Sequence, residues 1–242
     1  MTAAKAPLRI VADGAPKGDA GGRGAAVHEA VYERLRRAIM SGQLEPGRAL
    51  SVRSLAAEFG VSAMPAREAI RQLAALGALE FTPTRRVAVA HMTPRKLSEL
   101  CDARLALEPA LAARALTALG DDEGAREKLA AKLLSIDETL DRAIEQGDSA
   151  AYARLNSEFH FALYEAARAP VYLGLVESLW LQTGPFMRVV IGRLGTAALE
   201  DDQHKEVVEA LRAGDRAKLE TAIRDDIKQG MTNIARGYSS NE

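Results

Sequence analysis

From Thr93 onward the chain is a succession of helical periods, broken only near Gly120-Asp121, Gly147-Asp148, Ala169-Pro170, Leu194-Gly195 and Gly214-Asp215. Apolar residues return every three or four positions, and no stretch alternates with the two-residue rhythm of a half-buried strand. Five or six long helices joined by short connections bury their apolar stripes most simply as an antiparallel bundle. Thr93-Pro94 suits the start of the first helix: a capping side chain, then a proline where the missing N–H costs least. Pro109, inside that helix, is expected to kink or break it. At about 100–150 residues per domain, a chain of 242 residues has room for a second, smaller unit ahead of the bundle.

That unit, residues 27–92, has a different pattern. Val27, Val31, Leu35 and Ala38/Ile39 define an amphipathic helix that ends near Ser41-Gly42. A short helix from Ser51, with Leu55, Ala56 and Phe59 inward, stops at Gly60. A third helix carries Pro65 in its first turn and an Ala66, Ala69, Ile70, Leu73 stripe, leaving Arg67 and Arg71 on one exposed side. Two short helices joined by a glycine-containing turn form a helix-turn-helix, whose second helix enters the major groove of DNA. Ala78–Phe81 and Val87–Ala90 can pair as strands around a tip bearing Arg85 and Arg86, suited to the phosphate backbone or minor groove. The expected fold is therefore mainly α: a winged helix-turn-helix of three helices and a short β-hairpin, followed by an all-α antiparallel bundle over 93–242. Residues 1–26, glycine-rich and without period, are expected to be a mobile tail.

Charge agrees with this division. The whole chain carries a net charge of −1, which alone would argue against a polyanionic partner. Residues 27–95 hold ten Arg and six Glu, a net +4, whereas 96–242 hold 18 basic and 25 acidic residues, a net −7. Segregation of this kind points to polyanion binding by the basic segment. The single Cys101 excludes an intrachain disulfide framework and a Cys-rich zinc module, and a reducing, cytoplasmic setting is expected. No apolar run approaches the ~20 residues needed to cross a bilayer, so no membrane partner is expected.

Within the bundle, polar residues fall at inward positions on three separate helices. Asn156 and His160 are four apart; His204 precedes Val207, Val208 and Leu211; Asp226 shares a side with Ala222, Ile223 and Gly230. A buried polar group needs a partner, and convergence on a metal satisfies several at once. Asp225 points about 100° from Asp226 on an ideal helix and is the poorer candidate. Arg104, in register with Leu97, Leu100 and Leu107, also faces inward, where a guanidinium is costly unless paired. Either a ligand carboxylate or Glu108, one turn on, can pair it.

Gly42-Gln-Leu-x-Pro-Gly47, Leu55-Ala-x-x-Phe-Gly-Val-Ser62, Pro65-x-Arg-Glu-Ala-Ile-Arg-x-Leu73 and Gly77-Ala-Leu79 together resemble the GntR family of bacterial transcription regulators. Asp102-x-Arg-x-x-Leu-Glu108, Asn156-x-x-x-His160 and His204 with its trailing Val-Val-x-Ala-Leu-x-x-Gly-Asp215 resemble the FCD effector-binding domain of its FadR branch. The resemblance implies DNA-contact positions at Arg53, Ser62, Met64 and Arg67. It implies divalent-metal ligands at Asn156, His160, His204 and Asp226, with Asp226 replacing the usual last His. It also implies an organic-acid anchor at Arg104, with Arg188 as a second candidate. Ala63 departs from the family's guanine-reading Arg, and Arg85-Arg86 from its glycine-rich wing tip. The Asn, His, His, Asp set is harder than a His-rich one and admits Zn, Mn, Ni or Mg. The function implied is that of a homodimer reading two half-sites of double-stranded operator DNA, a repressor released by a small carboxylate. A helical metalloenzyme acting on a small carboxylate is the competing class, but no activated nucleophile or clear general base lies near the ligands, so no enzymatic activity is expected.

Overall fold

A short capping interaction marks the junction between the two halves of the chain. Thr93 accepts the Lys96 N–H at 3.1 Å and Pro94 opens the next helix, as expected for such a pair. The computed structural model describes residues 20–194 and 203–239, apart from 48, 50 and 59. Ahead of the junction lie α1 (Ala20–Met40), α2 (Val52–Glu58), α3 (Ala63–Ala75), β1 (Leu79–Phe81) and β2 (Val87–Val89). After it come α4 (Pro94–Leu119), α5 (Glu123–Glu145), α6 (Ser149–Glu165), α7 (Pro170–Leu194), α8 (Gln203–Ala213) and α9 (Arg216–Ser239).

The winged-helix unit forms as its sequence predicts. Ser51 Oγ accepts the Ser54 N–H at 2.9 Å and caps α2. Val31, Leu35 and Ile39 of α1, Leu55 of α2, and Ile70 and Leu73 of α3 share one apolar core, in which α3 packs on both α1 and α2. Phe59, expected inward, lies outside the described residues. β1 and β2 are antiparallel with Leu79 opposite Val89 and Phe81 opposite Val87. The Ala90 N–H reaches Ala78 O at 3.0 Å, so pairing extends one residue past each assigned strand.

The expected tail needs correction where it is described. Residues 1–19 lie outside the described part, but α1 already begins at Ala20, seven residues before Val27, and includes Gly21, Gly22 and Gly24. Each glycine costs roughly 1 kcal/mol relative to alanine in a helix. Growth from the packed turns at Val31 and Leu35 needs no new nucleus, however, and Ala20, Ala25 and Ala26 favour it.

In the helical half, Asp122, Asp148 and Asp215 each accept a backbone N–H at the start of α5, α6 and α9. Gly147, at φ 67°, turns the chain from α5 into α6 in the left-handed conformation that favours glycine. Helix α6 is the central element: from Tyr152 to Tyr164 all residues but Arg154 and Glu158 are buried, the pattern of a helix surrounded by neighbours. Helix α5 packs on α6 and α8, α8 on α9, and α9 on α4, while α7 touches α4, α6 and α9. Helix α4 runs unbroken through Pro109. Proline removes the N–H that would bond Leu105 O, and Arg224 Nη1 of α9 donates to that carbonyl instead, at 3.3 Å.

The two halves meet on α7. Gly184 lies so close to the end of α1 that a Cβ placed there would stand 2.5 Å from Met40 O. Arg36 of α1 pairs with Glu33 at 2.9 Å and with Glu177 of α7 at 3.0 Å.

Candidate functional site

Two surfaces gather the candidate binding residues. The first is basic and formed by α2, α3 and the hairpin. Ser62 is the N-cap of α3, in extended backbone, and its side chain makes no capping bond. Met64, two residues on, is 76% exposed, and Arg67 and Arg71 project from the same helix into solvent. Arg53 is exposed in the first turn of α2. At the hairpin tip Arg85 adopts φ 57°, a conformation glycine takes more easily. Its N–H donates to Thr82 O at 2.9 Å, and Arg86 is exposed beside it. Among the described residues, the guanidinium groups of Arg53, Arg67, Arg71, Arg85 and Arg86 have no ion-pair or hydrogen-bond partner. An Arg67 pair with Glu58 or Glu68 is therefore not formed. Arg36 and Arg37 differ: Arg36 is held by two carboxylates, and Arg37 Nε donates to Glu33 O.

The second surface is internal. His160 of α6, His204 of α8 and Asp226 of α9 bring one ligand atom each to within 4.8 Å of one another. His160 Nε2 is 3.2 Å from Asp226 Oδ2, and His204 Nε2 is 3.8 Å from Asp226 Oδ1. Phe159 stacks on the His204 ring, centroids 4.0 Å apart. Asn156, one turn before His160, lines the same cavity as Asp226. Asp225 points to the surface and pairs with Lys228 at 3.2 Å.

The hydrogen bonds around this cluster place one of the His160 protons. Tyr164 Oη–H donates to Glu108 Oε2 at 2.8 Å, and the same phenol oxygen is 3.3 Å from His160 Nδ1. A phenol has one proton, so toward His160 it accepts, and Nδ1 carries the hydrogen. The buried His160 Nε2 faces Asp226 Oδ2 at 3.2 Å. Beside it stands the Asp226 carboxylate. Burial pushes that carboxyl up, but His160, His204 and Arg104 outweigh it and hold it at about 2. Two imidazoles and a carboxylate converging within 4.8 Å, with a neighbouring amide, are a donor set that suits a divalent metal.

Arg104 Nε and Nη2 donate to the two oxygens of Glu108, both side chains being buried, and the guanidinium lies 4.6 Å from the Trp180 ring centre. Arg104 nonetheless borders a cavity of ≈30 Å³ with Asn156, Trp180, Met187 and Asp226. That space holds about one water, so a larger ligand has to displace a wall. Arg188 is not brought to this cavity: its Nη1 donates to Gly42 O at 3.3 Å, at the junction with α1. Sequence reasoning missed Asp137 of α5, 1% exposed, whose Oδ1 is 2.8 Å from His204 Nδ1. The available signal was a carboxylate on the apolar stripe of Ala130, Leu133 and Leu140.

An unpaired basic face on a winged helix, joined to a helical domain with a buried metal-type cluster, defines a ligand-responsive DNA-binding regulator. Residues 27–89 match the bacterial regulatory proteins of the gntR family and residues 99–229 the FCD domain. The chain belongs to the GntR family and is a transcription regulator with a C-terminal FCD domain. It is 26% identical over 211 residues to the HTH-type transcriptional regulator McbR of Escherichia coli, covering 86% of this chain and 93% of that one. The solved McbR structure superposes with a TM-score of 0.78, covering 88% of this chain and 98% of that one. A probable D-xylose utilization operon transcriptional repressor of Paenarthrobacter nicotinovorans is 30% identical, over 76% of this chain and 78% of its own. The gluconate operon transcriptional repressor of Bacillus subtilis is 26% identical over 84% of each chain. These relatives are regulators, and the helical-metalloenzyme alternative finds no support.

Proposed function

We propose that the chain is a homodimeric repressor whose hold on operator DNA is released when a small organic acid binds beside a divalent metal in the FCD domain. The observation that carries this reading is the convergence of the buried His160 and His204 and the partly buried Asp226 on one point. Asn156 would complete the ligand set, and the metal, when bound, would supply a Lewis-acid anchor for a carboxylate. Arg104 contributes positive charge at the cavity wall, its Nη1 donating, among the described residues, only to the weak acceptor Met231 Sδ at 3.7 Å. The xylose- and gluconate-operon relatives favour a sugar acid or a related hydroxy acid.

On the DNA side, Arg67 reads a base edge from α3, Met64 offers apolar contact to a thymine methyl, and Arg53, Ser62, Arg71, Arg85 and Arg86 hold phosphates. Coupling runs through α7. Trp180 and Met187 line the cavity, and Gly184 between them touches Met40. An acid too large for the cavity displaces this helix, and with it the end of α1. The test is fluorescence anisotropy of metal-loaded and chelator-treated protein on duplex DNA from upstream of its own gene, across a panel of hydroxy and sugar acids. Release by one acid from the loaded protein only is expected; DNA affinity indifferent to every acid and to metal would refute the reading.

A further inference from the structure

We infer that Asp137 is a positioning residue for the metal centre, fixing the His204 ring so that Nε2 is the nitrogen turned toward Asp226 and His160. The inference rests on the proposed metal reading and extends it to a residue on a fourth helix. Asp137 is 1% exposed and its Oδ1 lies 2.8 Å from His204 Nδ1. An ionised carboxylate only accepts, so the hydrogen between them sits on Nδ1. The Phe159 ring, stacked at 17° to the imidazole, keeps the ring plane in place. His160 has its own device of the same kind, the Tyr164 oxygen accepting from Nδ1. The two histidines thus turn equivalent nitrogens to the same point through unlike partners, a carboxylate from α5 and a phenol from α6. Carboxylate–histidine pairs orient metal ligands and raise their basicity, and losing the outer partner commonly weakens metal binding about 10–100-fold.

The test uses the full chain with Asp137→Asn, which keeps the shape without the charge, and Asp137→Ala. Zn²⁺ affinity is measured by competition with a chromophoric chelator. Histidine-labelled, metal-free wild type is read by long-range ¹H–¹⁵N spectra, which locate the ring proton without needing a variant. Expected are a proton on His204 Nδ1 in the wild type and a Zn²⁺ affinity about 10–100-fold lower in both variants, at unchanged metal-free melting for Asp137→Asn. A wild-type His204 protonated on Nε2 alone, or variants that bind Zn²⁺ as tightly as the wild type, would overturn the role of Asp137 and leave the metal reading standing. A wild type that binds no Zn²⁺ would remove both.

Discussion

Gly184→Ala probes the contact through which the two domains meet. The added Cβ would stand 2.5 Å from Met40 O and 2.9 Å from Met40 Cα, where ordinary contact begins near 3.4 Å, so α1 and α7 must part by about 0.9 Å. The obstacle is backbone and cannot rotate away. Overpacking of this kind costs roughly 1–3 kcal/mol, offset by roughly 1 kcal/mol of helix propensity gained on replacing glycine. Gly174, on the same helix, has no atom within 4 Å of a built Cβ, so Gly174→Ala gains the propensity without the clash. The two variants should therefore differ by about 1–3 kcal/mol, with Gly174→Ala the more stable. At about 2–4 °C per kcal/mol for a chain of this size, thermal melts should separate by roughly 2–12 °C. Equal melting temperatures would show that α1 does not dock on α7 and would remove the proposed coupling route.

Other substitutions probe the two binding surfaces and the buried ion pair. Arg67→Ala should lose about 1–3 kcal/mol of discrimination between operator and random duplex, read by competition gel shift; equal losses on both DNAs would exclude base reading. Zn²⁺ at a hundredfold excess over its dissociation constant should stabilise the wild type by about 2.7 kcal/mol and leave His160→Ala unchanged; urea titrations with and without metal would show the difference. Glu108→Ala strands the buried Arg104 and removes the acceptor of Tyr164, so stability should fall by roughly 3–5 kcal/mol in urea. Arg212→Ala, which breaks a surface pair with Glu127, should leave the urea midpoint in place.

The helix-turn-helix was legible because its determinants are local: Gly60 ends one helix, Pro65 opens the next, and Ala66, Ala69, Ile70 and Leu73 set the inward face. Asn156 and His160 were legible for the same reason, since a four-residue step keeps one helical face. What escaped depends on partners distant in sequence. Pro109 reads as a breaker until Arg224, far along the chain on α9, supplies the hydrogen bond to Leu105 O. Arg188 reads as a pocket cation until the Gly184 contact brings α1 against α7 and Gly42 O to its guanidinium. Asp137 reads as one charge in a charged helix until α8 places His204 against it. The early start of α1 hides behind glycines whose cost is outweighed by growth from packed turns.

The most direct test of the account is the affinity of the full chain for its upstream duplex and for a scrambled duplex as salt is raised from about 50 to 200 mM, a range over which phosphate contacts weaken steeply. If the unpaired arginines of α2, α3 and the hairpin grip phosphates, log affinity for both duplexes falls linearly with log salt, and the upstream duplex stays tighter throughout. Affinity that ignores salt, or two duplexes bound equally at every concentration, would contradict it.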